Sequence, residues 1–246
     1  PEFTATIRYT VALRKLAGSA MTHPVLAIVG AGTAGLAQAQ AALFGHHGFQ
    51  IALLSRDEVI LKNAADDLQH QQINATIFSV DLTKPETIAA TFEQVNQLGQ
   101  LTAVIFNATF RPGVKPREMT AELATTGMLI GAVAPVAIAH AAIPAMLKTP
   151  EPTALLFTNS IAANKPSTNA ALQSMEKAAM KNFVTTLNAD LADTNIFAGQ
   201  VTINTYVGSD HRANQDPNNI AKAYYKLFKE RTPVDLPYHD LIEDDL

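Results

Sequence analysis

A glycine turn near the start of the chain constrains its fold more than any other sequence feature. Gly30, Gly32 and Gly35 have the spacing G-x-G-x-x-G, after the apolar run 25–28 and before an alanine-rich segment. This context predicts a strand, a turn and a helix. Gly30 permits a tight turn, Gly32 lets a pyrophosphate approach the backbone, and Gly35 lets the helix pack closely on the strand. Free N–H groups at the helix N-terminus favour phosphate binding over a plain glycine turn. The residues of this predicted dinucleotide site are Gly30, Gly32, Thr33, Gly35 and Leu36.

The end of the second predicted strand bears on which dinucleotide binds. The strand covers residues 50–54 and is followed by Ser55 and Arg56. An NAD-binding chain carries an acidic residue at about this distance from the glycines, where it binds the ribose 2′-hydroxyl. Ser55 instead leaves room for a 2′-phosphate, and the Arg56 guanidinium supplies a charge to hold it. NADP is therefore favoured over NAD. The alternative interpretation is that Arg56 is only a solvated charge in the first turn of a helix, where Asp57 and Glu58 would partly neutralise it.

Strand and helix patterns alternate along the rest of the chain. Apolar runs typical of buried parallel strands occupy residues 25–28, 50–54, 75–80, 101–106, 154–158 and 197–204, and helical patterns occupy 85–98, 125–147 and 173–191. Such an alternation predicts an α/β fold with a doubly wound, Rossmann-like parallel sheet between two helical layers. We expect residues 21–246 to form one domain and interpret residues 1–20 as a vector-derived or leader segment ahead of Met21.

Composition excludes several classes of function. The net charge of −4 and the absence of basic clusters argue against nucleic-acid binding. The chain has no cysteine, which removes disulfides and Cys-based zinc sites and fits a cytoplasmic protein. The seven histidines show no metal-ligand spacing, so no metal site is predicted.

Two apolar segments predict burial or self-association. Residues 125–147 carry no charge and are long enough to cross a membrane, but they are rich in alanine and contain Pro135 and Pro144. Because the alternation requires a helix there, we interpret the segment as a buried or interface helix rather than a membrane span. The segment 173–191 carries a helical apolar stripe, interpreted as core or dimer interface. The stripe consists of Met175, Ala178, Ala179, Val184, Leu187 and Leu191.

Polar residues follow the predicted strands in an order that is specific to one family. These residues are Asp81-Leu82, Asn107-Ala108 and Ser160 after the third, fourth and fifth strands, and Lys177-Ala178-Ala179 in the next helix. With the glycine turn they make residues 24–242 resemble the short-chain dehydrogenase/reductase family. The resemblance implies that Asp81 contacts the adenine, Asn107 and Ala108 line the adenosine ribose, and Lys177 binds the nicotinamide ribose. It further places Leu82, Val207 and Gly208 at the cofactor, and predicts a homodimer or homotetramer.

The catalytic pattern of that family is incomplete here. Its Tyr-x-x-x-Lys motif falls on residues 173–177, so Gln173 stands where the tyrosine proton donor would be. The position of the family's assisting catalytic asparagine is occupied by Met128. After Val207-Gly208 there is no threonine at the position where the family has one that binds the nicotinamide carboxamide. The segment 219–227 resembles the closing helix of an atypical bacterial subgroup that often lacks the catalytic tyrosine.

The remaining candidate catalytic groups are few. Ser160 can polarise a carbonyl, unless its hydroxyl is satisfied by the backbone. Tyr206 and His211 lie just after the sixth predicted strand and are alternative proton donors. Two hypotheses follow: an NADP-dependent oxidoreductase acting on a small carbonyl compound or alcohol, or an inactive nucleotide-binding protein with a sensor or regulatory role.

Overall fold

The computed structural model describes residues 23–32, 35–208 and 212–239. The interpretation of residues 1–20 and the predicted roles of Thr33 and His211 lie outside these ranges.

One parallel sheet forms the centre of the molecule, as predicted. Its seven strands are β1 (Pro24–Val29), β2 (Gln50–Ser55), β3 (Ala75–Ser79), β4 (Gln100–Phe106), β5 (Thr153–Ser160), β6 (Ile196–Ile203) and β7 (Asp235–Tyr238). The strand order is β3-β2-β1-β4-β5-β6-β7, and every neighbouring pair is parallel. The order reverses between β1 and β4, which places a crevice for ligands at the carboxyl ends of these strands.

Helices cover both faces of the sheet. They are α1 (Leu36–His46), α2 (Glu58–His70), α3 (Ile88–Val95), α4 (Ala121–Met128), α5 (Ala134–Met146), α6 (Ala171–Asp190) and α7 (Pro217–Glu230). A π-helical turn, Leu129–Val133, joins α4 to α5. The predicted helix 85–98 is shorter than expected, because Pro85–Thr87 forms a 3-10 turn and α3 ends at Val95.

The strand β7 was missing from the sequence prediction. It has only four residues and includes Pro237, which lacks the N–H of a regular strand residue. Proline is tolerated here because β7 is an edge strand with a single neighbour, β6.

Two hydrophobic cores fix the three layers. Alternate residues of β1 point to opposite faces: Val25 and Ala27 lie in one core, and Leu26 and Ile28 in the other. The first core contains buried residues of α3, α5 and α6, and the second contains those of α1, α2 and α7. Burial on both faces explains why the strands read as continuous apolar runs.

The continuous helix Ala121–Met146 is long and apolar enough to cross a membrane by length and composition. One side of it packs on the sheet, with Ala134, Ile138 and Ala142 buried in the core. Val133 and Val136 on its other side are exposed. Core helices of globular proteins meet the same criteria of length and composition, so this helix alone is weak evidence for a membrane span.

Candidate active site

The glycine turn after β1 brings two chain segments into close contact. The N–H groups of Gly30 and Ala31 both donate to the carbonyl oxygen of Leu54, at 2.9 and 3.1 Å. Gly30 has a φ of +83°, and a Cβ at this position would lie 2.7 Å from the backbone nitrogen of Ala108. Only glycine fits both the conformation and the space.

The other two glycines of the turn have different surroundings. Gly32 has open space where a Cβ would be, so the backbone is accessible to a ligand there. A Cβ on Gly35 would lie 3.0 Å from the Pro217 side chain. The predicted packing of Gly35 on the strand is therefore wrong: its close neighbour is the first residue of α7. The N-terminus of α1 has no side-chain cap, which leaves its N–H groups available to a phosphate.

One cavity lies beside the ends of β2 and β3. This Arg56 cavity has a volume of about 300 Å³. Its lining includes Ser55, Arg56, Asp81, Leu82, Asn107 and Ala108, six of the residues predicted to bind the cofactor. Asp81 accepts hydrogen bonds from the N–H and the hydroxyl of Thr83, at 3.0 and 2.7 Å. These bonds hold the pKa of the Asp81 carboxyl below its usual range, so the carboxylate is both charged and fixed in position.

A second cavity lies at the carboxyl ends of β5 and β6. This Lys177 cavity has a volume of about 400 Å³ and shares Gly30, Gly32, Asn107 and Thr109 with the Arg56 cavity. Its other lining residues are Leu36, Ala37, Arg111, Thr158, Asn159, Ser160, Gln173, Lys177, Ile203, Thr205, Tyr206 and Val207. The two cavities share four lining residues and together make a groove over the switch point of the sheet.

Lys177 is fixed at the base of its cavity. Its side chain is 2% exposed, and Nζ donates to the carbonyl oxygens of Ala108 and Thr158 at 3.1 and 2.8 Å. Burial lowers the pKa of the Lys177 ammonium to about 8, while the Glu176 carboxylate opposes this shift. An ammonium group has three N–H donors, so one remains for a ligand.

Ser160 and Asn107 are also positioned by hydrogen bonds. The Ser160 hydroxyl oxygen accepts from the N–H of Ala162 at 3.2 Å, a bond that leaves the hydroxyl proton free to be donated. The Asn107 amide donates to Gln40 at 2.7 Å, and its oxygen accepts from the Thr158 hydroxyl at 2.5 Å. The backbone contact anticipated for Ser160 therefore exists, but it uses only the acceptor side of the hydroxyl.

Gln173 contacts an arginine that the sequence did not point to. With the amide oriented so that both groups are satisfied, its carbonyl oxygen accepts from Nε and Nη2 of Arg111, at 2.9 and 2.6 Å. Gln173 is 6% exposed, and both side chains line the Lys177 cavity. A guanidinium thus lies beside the place where the resemblance would put a phenol.

A buried carboxylate lies next to Lys177. Glu176 is 0% exposed and accepts hydrogen bonds from the Thr109 hydroxyl and from the N–H of Phe110 at 3.3 Å. Burial raises the pKa of this carboxyl above its usual value. The apolar stripe did not predict the burial of Glu176. The buried face of α6 also includes two charged residues, Glu176 and Lys177, and a pattern of apolar positions does not detect these. Met175 of the predicted stripe is 47% exposed, which excludes it from the core.

The segment after β6 borders the Lys177 cavity. Tyr206 lines the Lys177 cavity but is 81% exposed, and Val207 lines the same cavity. Gly208 donates its N–H to the Gln215 carbonyl at 2.9 Å and is not among the lining residues. Within the described ranges, no group of three or more His, Cys, Asp or Glu side chains is arranged to hold a metal ion.

Solved structures share this fold at low sequence identity. A short-chain dehydrogenase from Rhodopseudomonas palustris superposes with a TM-score of 0.78 and 17% identity, covering 89% of this chain and 99% of its own. L-sorbose reductase from Gluconobacter frateurii, complexed with NADPH and L-sorbose, has a TM-score of 0.80 and 21% identity, with coverages of 89% and 95%. An NAD⁺-bound xylitol dehydrogenase has a TM-score of 0.76 and 20% identity, with coverages of 89% and 98%.

Sequence comparison assigns the family. No curated protein sequence matches the chain significantly. The model of the short chain dehydrogenase family matches residues 25–219, which is well over half of the sequence. The chain therefore belongs to the short-chain dehydrogenase family.

Proposed function

We propose that this protein is an NADP(H)-dependent oxidoreductase that acts on a small carbonyl compound or alcohol. The observation that carries the proposal is the meeting of Ser160 and Lys177 in a cavity that continues into the glycine turn. Open space at Gly32 and the uncapped N-terminus of α1 fit a pyrophosphate, and the Arg56 cavity fits an adenosine half. NADPH and L-sorbose are bound by one structural relative, which is consistent with this class of ligand.

The residues divide the chemistry between them. Bound NADPH supplies a hydride. We assign to Lys177 the binding of a ribose hydroxyl through its remaining N–H, and to Ser160 the donation of a hydrogen bond to a carbonyl oxygen, because their other hydrogen bonds leave these groups available. Neither the Gln173 amide nor the Arg111 guanidinium is a proton donor near neutral pH. The proton must therefore come from another group, and Tyr206 on the cavity wall is one candidate.

The missing donor favours a second candidate function. Gln173 is engaged with Arg111 and offers no acidic proton, so a nucleotide-binding protein without turnover remains the alternative. An NADPH titration followed by a screen of aldehydes and ketones tests both. Binding with turnover supports the oxidoreductase, and binding with no turnover supports the sensor or regulatory protein. No binding of either nicotinamide cofactor would overturn both.

The cofactor preference gives a first prediction. Arg56 lines the cavity beside Ser55 and interacts electrostatically with Asp81. We expect NADPH to bind more tightly than NADH, and Arg56→Ala to weaken NADPH binding about 10- to 100-fold, the effect of losing a charged hydrogen-bond donor. NADH binding should change little. Dissociation constants from nicotinamide fluorescence check this, with Lys62→Ala as a control because its side chain is 65% exposed on α2. Equal affinities for both cofactors in the parent would contradict the prediction.

We also propose that the protein is a soluble, cytoplasmic homodimer or homotetramer that binds neither nucleic acid nor membrane. The π-helical turn packs against α6, where a Cβ at Gly131 would meet Glu176. The outer sides of the π-helical turn, of α5 and of α6 carry Val133, Val136 and Met175 respectively, which are 41%, 45% and 47% exposed. Exposed apolar side chains on adjacent helices are suited to pack on a second copy across a two-fold axis.

Self-association gives a second prediction. Val136→Asp should shift the protein toward monomer, because the charge would be buried in the proposed interface. Light scattering at micromolar concentration measures the change. Val59→Asp is the matched control, since Val59 is 67% exposed on α2, away from this surface. A monodisperse monomer in the parent would contradict the proposal.

A further inference from the structure

We infer that Arg111 is an anion-binding residue and that the substrate carries a carboxylate or phosphate group. The inference rests on the proposed function, since it names the class of substrate for the same cavity. Its basis is the geometry of the Arg111–Gln173 pair and the distribution of charge around the Lys177 cavity.

The guanidinium is held in place but keeps most of its donors. Nε and Nη2 donate to the Gln173 carbonyl oxygen, which uses two of the five N–H groups of an arginine. Three N–H groups remain, in the planar arrangement that matches a carboxylate or phosphate. Gln173 is 6% exposed and begins the face of α6 that also carries Lys177. The arginine is therefore oriented by a partner that is itself fixed.

The hydrogen-bond partner of Arg111 is neutral, and no ion pair within the described residues takes up its donors, although the Glu176 carboxylate interacts electrostatically with Arg111. A glutamate at position 173 would form an ion pair with Arg111 and cancel its charge, whereas an amide only accepts hydrogen bonds. The two charged side chains that line the cavity, Arg111 and Lys177, are both positive, and no Asp or Glu is among the described lining residues. Glu176 lies outside the lining, with its oxygens bonded to Thr109 and Phe110.

The cofactor does not account for this charge. Arg56 is placed for a 2′-phosphate in the other cavity, and the open backbone at Gly32 and the N-terminus of α1 are placed for the pyrophosphate. Lys177 is occupied by two backbone carbonyls and has one N–H left for a ribose hydroxyl. Arg111 is then the cation available to a substrate that sits beside Ser160.

The test compares matched ligands that differ in one charged group. Levulinate and methyl levulinate form the carboxylate pair, and dihydroxyacetone phosphate and dihydroxyacetone form the phosphate pair. Dissociation constants are measured by calorimetry on the protein saturated with NADPH. We expect one of the anions to bind at least about tenfold more tightly than its neutral partner, the usual effect of a charge-assisted hydrogen bond. The pair that shows the preference identifies which anionic group is recognised.

Three variants link the preference to Arg111. Arg111→Gln should abolish it. Gln173→Glu should abolish it as well, although Arg111 is still present, because the new carboxylate would compete for the guanidinium. Arg117→Gln should leave it unchanged, since the Arg117 side chain is 86% exposed and paired with Glu118 outside the cavity.

The outcomes separate this inference from the proposed function. If NADPH binds and neither anion binds better than its neutral partner, the inference is overturned and the cofactor proposal stands. A preference that survives Arg111→Gln also overturns it. If NADPH does not bind, the proposed function fails, and the same ligand pairs measured on the cofactor-free protein decide the role of Arg111.

Discussion

Replacing Gln173 by tyrosine should raise reductase activity with NADPH by at least about tenfold, a conservative part of the 10²–10⁴ that a positioned general acid contributes. The position is suited to the change because Gln173 lines a cavity of about 400 Å³ that also contains Ser160 and Lys177. A phenol there would lie beside the Arg111 and Lys177 cations, which lower the pKa of a tyrosine and favour proton exchange near neutral pH. The measurement is NADPH oxidation over a panel of aldehydes and ketones.

The matched control is Gln173→Phe, which adds the ring without the hydroxyl. We expect this variant to remain as slow as the parent or slower, because it also removes the hydrogen-bond acceptor of Arg111. A gain in activity that is equal in the two variants would show that ring packing, not the proton, is responsible. If NADPH binds but the parent and Gln173→Tyr are both inactive, the oxidoreductase proposal loses its support.

A parent that turns over rapidly would call for a different proton donor. Tyr206→Phe is the variant that decides this, because the Tyr206 side chain lines the same cavity and is 81% exposed. Loss of activity in Tyr206→Phe, with NADPH affinity unchanged, would identify Tyr206 as the donor and exclude the inactive alternative.

The sequence predicted the parts of the fold that depend on local pattern. Strands β1, β4 and β5 were recognisable because residues buried on both faces leave continuous apolar runs. Ser160 could be placed at the ligand-binding edge because it ends a parallel strand, whereas Lys177 lies on α6 and was placed there only by the family resemblance. Strand β7 could not be recognised, since Pro237 and the short length of the strand interrupt that pattern.

Contacts between distant segments were not predictable in the same way. Arg111 follows β4, and Gln173 is buried in the first turn of α6. The sequence around each residue gives no indication that the two side chains are hydrogen-bonded to each other. The same is true of Thr109 and Glu176, which are hydrogen-bonded across a separation of 67 residues. Periodicity on α6 favoured Met175 as a core or dimer-interface residue, whereas the structure leaves Met175 47% exposed and buries Glu176. The Glu176 carboxylate can be buried because Gly131 leaves room for it, and because Thr109 and Phe110, in the loop after β4, donate hydrogen bonds to it.

Gly131→Ala should destabilise the protein by about 1–3 kcal/mol, the usual range for overpacking a buried site. Gly131 lies in the π-helical turn, and an added Cβ would be 2.6 Å from the Cβ of Glu176 and closer still to its carboxylate. Glu176 cannot move away easily, because Thr109 and Phe110 hold its carboxylate and the side chain is fully buried. Urea unfolding, followed by circular dichroism, measures the loss of stability.

A double-mutant cycle separates this contact from a general effect on the helix. In the Glu176→Ser background the carboxylate is absent, so Gly131→Ala should cost at least about 1 kcal/mol less than in the parent. The intrinsic helix preference of alanine over glycine, about 1 kcal/mol, would then be opposed only by the contact with the Cβ of residue 176, which serine keeps. NADPH affinity gives an independent readout, since displacement of Glu176 in the single variant would also shift the adjacent Lys177. An equal cost of Gly131→Ala in both backgrounds would show that the Glu176 carboxylate does not set the spacing between the π-helical turn and α6.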